Sequence, residues 1–235
     1  MRNKLLLIVM LCSGLSFAQV PEQQLFEGYL AQDLSSWDTF ITTANWDQMS
    51  DNERTLLINH EYGFIPFMSD QNDPRCRQLL DAFWQHIEAH KNVLTPSQYA
   101  TYTGAAHAFE YLLDKSKIFS DGMQSFKLAK QAVEADPNNP IALSLKGNVD
   151  FYAPKLFGGS KKKAMDMFLL SEQLMHNDPM YKYWWNYPAM LLCIAQCYEK
   201  MGNKEAAIQK CQQILREYPN FVFVRDEYLP SLLSK

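Results

Sequence analysis

The stretch LLCIAQCYEKMGNKEAAIQKCQQILREYP, residues 191–219, carries two apolar helical faces with a glycine between them. In its first half, apolar or small residues recur at spacings of three and four, at Leu191, Ile194, Ala195, Tyr198 and Met201. Gly202 stands where a helix end favours glycine. The spacing resumes before Pro219 at Ala207, Ile208, Cys211, Ile214, Leu215 and Tyr218. The stretch therefore predicts an antiparallel helical hairpin, with small residues at 195 and 207 for close approach.

This pattern resembles the tetratricopeptide repeat, a helical hairpin with a period of about 34 residues. Tyr198, Ala207 and Pro219 match the family pattern directly. Leu191 stands where the family usually has Trp, and Ala195 where it usually has Gly. The resemblance implies an all-α fold: a right-handed superhelix of antiparallel helical hairpins, or α-solenoid.

The pattern recurs upstream. Gly147 occupies the close-approach position of another hairpin, and QAVEADPNNP, residues 131–140, resembles the junction between two repeats. We therefore expect three repeat-like hairpins over residues 96–221. Residues 19–95 are less regular and are interpreted as two divergent hairpins. Residues 222–235 are expected to form a C-terminal helix that covers the last apolar face, as repeat arrays require.

Residues 1–18 have the pattern of a signal peptide. A charged start with Arg2 and Lys4 precedes an uncharged apolar run, and Ser16 and Ala18 supply the small residues of a cleavage site before Gln19. The apolar run is shorter than the ~20 residues that span a bilayer. We expect an exported protein, periplasmic or secreted after cleavage near Ala18, with no transmembrane segment.

Charge and cysteine content limit the classes of partner. The formal net charge is −4, and loss of the leader would lower it to about −6, which argues against a nucleic-acid surface. Beyond the leader the cysteines are Cys76, Cys193, Cys197 and Cys211. An oxidising compartment would permit disulfides, but buried free thiols are the favoured interpretation because cysteine is among the most buried residue types.

The stretch FGGSKKKAM, residues 157–165, has the composition of a phosphate-binding loop. A P-loop, however, needs G-x-x-x-x-G-K-[ST] after a strand, and here the glycines are adjacent and follow a helical segment. We interpret the stretch as a turn, with Ser160 as the N-cap of the next helix. An anion at this helix N-terminus is the alternative. The turn also resembles those of exported bacterial proteins, such as the soluble partner subunit of tripartite periplasmic transporters.

No catalytic set is recognisable in the sequence, and we predict that the protein is not an enzyme and has no cofactor. His86 and His90 are four residues apart on a predicted helix and could share a metal ion. They do not form the H-E-x-x-H motif, and no third ligand is evident. Solvated or core histidines are the favoured interpretation, so no metal site is predicted.

The segment MYKYWWNYP, residues 180–188, is rich in aromatic residues between two hairpins. Its tryptophans could pack against a neighbouring hairpin, or its rings could line a groove and contact a ligand. The first helix of each hairpin is expected to line the concave wall of the solenoid. These two features give the candidate partner-binding residues Asn148, Phe151, Tyr152, Tyr181, Tyr183, Trp184, Trp185, Leu192, Gln196, Glu199 and Lys200.

The sequence therefore favours an exported helical-repeat protein that binds a protein or peptide partner through its concave face, in a scaffold or assembly role. The alternative is a periplasmic ligand-handling subunit, in which Phe151, Tyr152 and the aromatic segment would form a pocket. A closed, deep apolar cavity would favour the alternative. An open, partly polar groove would favour the protein binder.

Overall fold

The computed structural model describes residues 22–234, and this range contains eleven α-helices and no β-strand. The first five are α1 Glu22–Ala31, α2 Ser35–Thr43, α3 Asp51–Asp70, α4 Cys76–His90 and α5 Pro96–Leu113. The other six are α6 Asp121–Ala135, α7 Pro140–Tyr152, α8 Lys161–His176, α9 Asn186–Lys200, α10 Lys204–Glu217 and α11 Leu229–Ser234. The predicted signal peptide, residues 1–18, lies outside the described residues.

Polar caps fix the starts of several helices. At α3 the backbone N–H of Ser50 donates to Glu53 Oε2 at 2.7 Å, and the N–H of Glu53 donates to Ser50 Oγ at 3.4 Å. This reciprocal pair is a capping box. Thr95 and Gln98 form a second one at α5. The hydroxyl of Ser160 caps α8, as predicted, by accepting from a backbone N–H in its first turn.

Consecutive helices pack as antiparallel neighbours, and small residues set their separation. A Cβ added at Gly147 of α7 would lie 2.4 Å from the ring of Phe168 on α8. Ala195 of α9 and Ala207 of α10 are both fully buried, as their spacing predicted. Met201, placed on the same face by its spacing, is instead exposed because it lies beyond the end of α9. The predicted all-α solenoid of helical hairpins is confirmed.

The glycine-rich stretch between α7 and α8 is a turn, as predicted. Gly158 has φ +89°, a left-handed conformation that glycine adopts at low cost. A Cβ at Gly159 would lie 1.9 Å from the carbonyl oxygen of Ala153, so only glycine fits there. A 3₁₀ turn, Lys155–Phe157, precedes the two glycines. The two glycines thus serve the chain reversal.

The C-terminal segment, predicted as a helix over 222–235, is continuously helical over the described residues 222–234. It begins as a π-helical turn, Phe223–Tyr228, and continues as α11. Val224, Tyr228 and Leu232 are buried and belong to the main core. No helix within residues 22–234 is both long and apolar enough to cross a membrane.

Candidate functional site

The aromatic segment, defined here as Tyr181–Tyr187, is clasped by the N-terminal helices. The ring of Trp185 lies 5.8 Å from that of Trp37 and 5.6 Å from that of Tyr62, measured between centroids. Its indole N–H donates to the carbonyl oxygen of Asn59 at 3.2 Å. A Cβ at Gly63 would lie 2.7 Å from the Trp185 ring, so the glycine makes room for it. Trp185 is therefore a packing residue that joins the two halves of the chain.

Other contacts support the same long-range packing. The side-chain amide of Asn59 donates to Asn186 Oδ1 at 2.8 Å, and both residues are buried. Tyr183 packs edge-on against Phe26 of α1, with centroids 6.0 Å apart. The residues between α8 and the start of α9 thus pack on α1 and α3, which come from the opposite end of the sequence.

This packing covers part of the predicted concave wall. Tyr62 of α3 is buried near Ser144 and Asn148 of α7, and its burial raises its pKa to about 12. The thiol of Cys193 on α9 donates to Asn148 Oδ1 at 3.7 Å. Asn148, predicted to face a partner, is therefore engaged with other parts of its own chain.

The remaining wall candidates divide between the core and the surface. Phe151 is buried with Ala164 and Phe168 in a separate apolar cluster, because it faces α8 across the hairpin. Its neighbour Tyr152 ends α7 and is 72% exposed. Leu192 and Gln196 are half-buried, and Lys200 is exposed.

Glu199, the last wall candidate, is half-buried near the C-terminal segment. Its carboxylate accepts a hydrogen bond from the hydroxyl of Tyr228 at 3.1 Å. The ammonium of Lys200 lies 3.9 Å from the same carboxylate. This part of the wall therefore helps to hold the π-helical turn against α9.

The accessible part of the aromatic segment borders a cleft, which we name the aromatic cleft. It lies between the first turns of α5 and α7, has a volume of about 200 Å³ and opens to solvent. Tyr181 and Trp184 form one wall, with ring centroids 5.3 Å apart and nearly perpendicular planes. Met180, which is 53% exposed, stands at its rim. The opposite side is lined by Gln98, Thr101, Tyr102, Asn138, Asn139 and Ile141.

The chemistry of the aromatic cleft suits a polypeptide. The exposed amide of Asn138 can pair with a peptide backbone, and the half-buried ring of Trp184 offers apolar area at low entropic cost. The cleft is smaller than the ~300–1,000 Å³ of typical small-molecule pockets. Sequence reasoning identified the aromatic wall but missed Asn138, which lies in the junction between repeats.

The histidines have separate partners. His86 Nδ1 lies 2.8 Å from Glu61 Oε1, and its ring stacks on Trp46 with centroids 4.4 Å apart. His90 Nε2 lies 3.1 Å from the hydroxyl of Thr55. Burial raises the pKa of the Glu61 carboxyl. Within residues 22–234, no three His, Cys, Asp or Glu side chains are grouped as metal ligands.

The four cysteines within residues 22–234 are free thiols. Cys76, Cys197 and Cys211 are buried, as the favoured interpretation expected, whereas Cys193 is half-buried. Burial raises the pKa of Cys197 and of Cys211 to about 11. Thiols so shifted remain protonated near neutral pH and are poor nucleophiles.

Comparison with known proteins supports the repeat assignment. The family model of the tetratricopeptide repeat matches residues 191–220, the stretch that carries the clearest hairpin pattern. Among solved structures, the fold is similar to that of the HusA haemophore from Porphyromonas gingivalis, with a TM-score of 0.56 and 17% identity. The similarity covers 75% of this chain and 92% of the haemophore chain. A search of curated proteins finds no match. The chain therefore folds as an array of helical hairpins and carries one recognisable tetratricopeptide repeat at residues 191–220.

Proposed function

We propose that this protein is exported and binds a protein or peptide partner through the aromatic cleft, in a scaffold or assembly role and without catalysis. The observation that carries the proposal is an open cleft bordered by exposed Met180, the half-buried ring of Trp184 and the exposed amide side chain of Asn138. Aromatic residues and Met are enriched where proteins bind one another. The tetratricopeptide-type fold is itself suited to protein interaction.

The proposed binding surface is the aromatic cleft and not the whole concave wall predicted from the sequence. Part of the concave wall is engaged by the chain itself, through the thiol of Cys193 with Asn148. Trp185 is committed to packing on Trp37. The rings that remain available to a partner are those at the edge of the aromatic segment, and Trp184 is the strongest single candidate because it is half-buried and lines the cleft.

The test compares stability with binding in single alanine variants of Tyr181, Tyr183, Trp184 and Trp185. Trp185→Ala should lower the free energy of unfolding by ~3–5 kcal/mol, since a packed aromatic ring is lost. Trp184→Ala should leave the thermal melt nearly unchanged. It should weaken the binding free energy of the partner captured from the native envelope fraction by more than ~1 kcal/mol. If every variant that loses binding also loses stability, the segment is structural and the binding site lies elsewhere.

A second candidate function is the handling of a small ligand, as in the periplasmic alternative. One observation favours it: the solved structure with a similar fold is a haemophore. The low identity supports the fold alone, and the volume of the aromatic cleft, about 200 Å³, is small for a tetrapyrrole. Titration of the purified protein with haem, followed by absorbance, separates the candidates. A saturable spectral shift abolished by Tyr181→Ala would favour ligand handling over the peptide binder.

A further inference from the structure

Two turns on one edge of the solenoid carry its most exposed large apolar side chains. Leu156, between α7 and α8, is 88% exposed, and Phe119, between α5 and α6, is 75% exposed. The rings of Phe119 and Phe157 are in edge-to-face contact, with centroids 6.0 Å apart. The two turns therefore form one continuous apolar surface rather than two isolated tips.

Lysines surround this surface. The two segments, 114–121 and 152–163, contain six lysines and two aspartates, with no arginine or glutamate, in a chain whose net charge is −4. Both aspartates have partners within the chain: Asp114 accepts from the hydroxyl of Ser116, and Asp121 pairs with His107. We name these two segments together the lysine-rimmed edge.

Most of the positive charge on this edge faces solvent. Lys117 pairs with Glu110 at 2.7 Å, and Lys161 donates to the carbonyl oxygen of Phe151. Lys162 is only loosely paired, 3.9 Å from Asp166, with 86% of its side chain exposed. Two other lysines, Lys155 and Lys163, are exposed and form no ion pair within the described residues. Their charge is thus available to an anionic surface.

We propose that the lysine-rimmed edge docks the protein on an anionic phospholipid bilayer. Leu156 and Phe119 would enter the boundary between headgroups and acyl chains, while the lysines would remain at the level of the phosphates. Attraction between juxtaposed lysines and anionic lipids adds to the apolar burial. Charge complementarity thus selects the occupant, and the proposal goes beyond partner binding by the aromatic cleft.

The geometry favours a bilayer over an acidic protein. The apolar side chains project from turns instead of lining a groove, so the partner must supply a surface into which they can sink. The cations are all lysines, which act as mobile point charges, whereas arginine is preferred for bidentate recognition of specific carboxylates. Diffuse attraction to many headgroups needs no fixed geometry.

Vesicle sedimentation tests the proposal with the purified full chain. The protein should partition onto vesicles that contain phosphatidylglycerol and not onto vesicles of phosphatidylcholine alone. Added salt should weaken the partition because it screens the lysine charges. Equal partition onto both vesicle types, or none onto the anionic ones, would overturn the proposal.

Matched variants locate the contact. Leu156→Ser should weaken partition by about tenfold or more, whereas Leu233→Ser, at an exposed position of α11, should not. Lys163→Glu should weaken it more than Lys91→Glu, the same charge change on the opposite edge. Lys163 and Lys91 are both exposed, so the thermal melts of the two lysine variants should match that of wild type. Partition that is unchanged in Leu156→Ser would contradict the assignment of this edge.

Two controls separate this proposal from its alternatives. Soluble polyglutamate should not compete strongly with vesicles for the protein. If the protein instead binds polyglutamate, loses that binding in Lys163→Glu and does not partition onto vesicles, an acidic protein is the partner and the proposal is overturned. The aromatic cleft lies at the other ends of α5 and α7, so Leu156→Ser should retain partner capture. Loss of vesicle binding alone therefore leaves the proposed function untouched.

Discussion

The buried side chains of Asn59 and Asn186 are joined by a hydrogen bond of 2.8 Å, which links α3 to the first residue of α9. The backbone carbonyl of the same asparagine, Asn59, accepts the indole N–H of Trp185. One residue of the N-terminal half therefore fixes two consecutive residues of the aromatic segment. This junction determines which aromatic rings are packed and which remain at the aromatic cleft.

Asn186→Ala should lower the free energy of unfolding by ~1–3 kcal/mol, because it leaves the buried amide of Asn59 without its acceptor. Urea denaturation measures the change, and Asn52→Ala, at an exposed position of α3, is the control. In the double variant with Asn59→Ala, the cost should be less than the sum of the two single costs. Strict additivity would show that the pair does not couple the two halves.

The sequence predicted the local features and missed the long-range ones, for a physical reason. Ser50 with Glu53, Ser160 and Gly202 act within one helix turn, so their spacing alone indicates helix ends. The contact between Trp37 and Trp185 depends on how far the array of hairpins curves, which no local spacing encodes.

The adjacent residues Phe151 and Tyr152 illustrate a second limit. Both were assigned to the concave wall, yet one is buried and the other is exposed. Tyr152 is the last residue of α7, and the chain turns away immediately after it. Helical spacing loses its meaning at such an end, because no further turn fixes which face the side chain occupies.

Ala207→Leu should destabilise the protein by ~1–3 kcal/mol, since the fully buried methyl group of Ala207 leaves no space for a larger side chain. Gln209→Leu, at an exposed position of the same helix, should cost little. Thermal melts of the two variants measure the difference. Equal effects would contradict the packing of α10 against α9.

Stability should fall in mild acid because of His60. Its burial beside Trp37 and Phe40 lowers its pKa from 6.5 to about 4. The unfolded chain therefore takes up the proton first, so stability is full above about pH 6.5 and is lost as the pH falls toward about 4. The loss should approach ~3 kcal/mol.

Comparison with His60→Gln isolates this contribution. The neighbouring Glu61 has a pKa raised by burial and acts in the opposite sense, with stability falling as the pH rises. Urea denaturation of wild type and His60→Gln at neutral and at acidic pH removes the contribution of Glu61 from the comparison, because both proteins contain it. The variant should lose less stability than wild type on acidification; parallel pH profiles would rule out His60 as the source.

Export should remove residues 1–18. Mass spectrometry of the native protein should find Gln19, in free or cyclised form, as the first residue, because Ser16 and Ala18 provide the small side chains that a signal peptidase reads. Fractionation should place the protein in the envelope or the medium. An intact chain that begins at Met1 in the cytosol would contradict the proposal of export.

Site-specific photo-crosslinking in the native host tests most directly whether the aromatic cleft binds a partner. A photoreactive residue would replace Met180, exposed at the rim of the cleft, and in a matched variant Met201, exposed at the opposite edge of the solenoid. We expect position 180 to yield one discrete crosslinked protein that disappears in the Trp184→Ala background. We expect position 201 not to yield that product. The same products at both positions, or no protein product at position 180, would contradict the account.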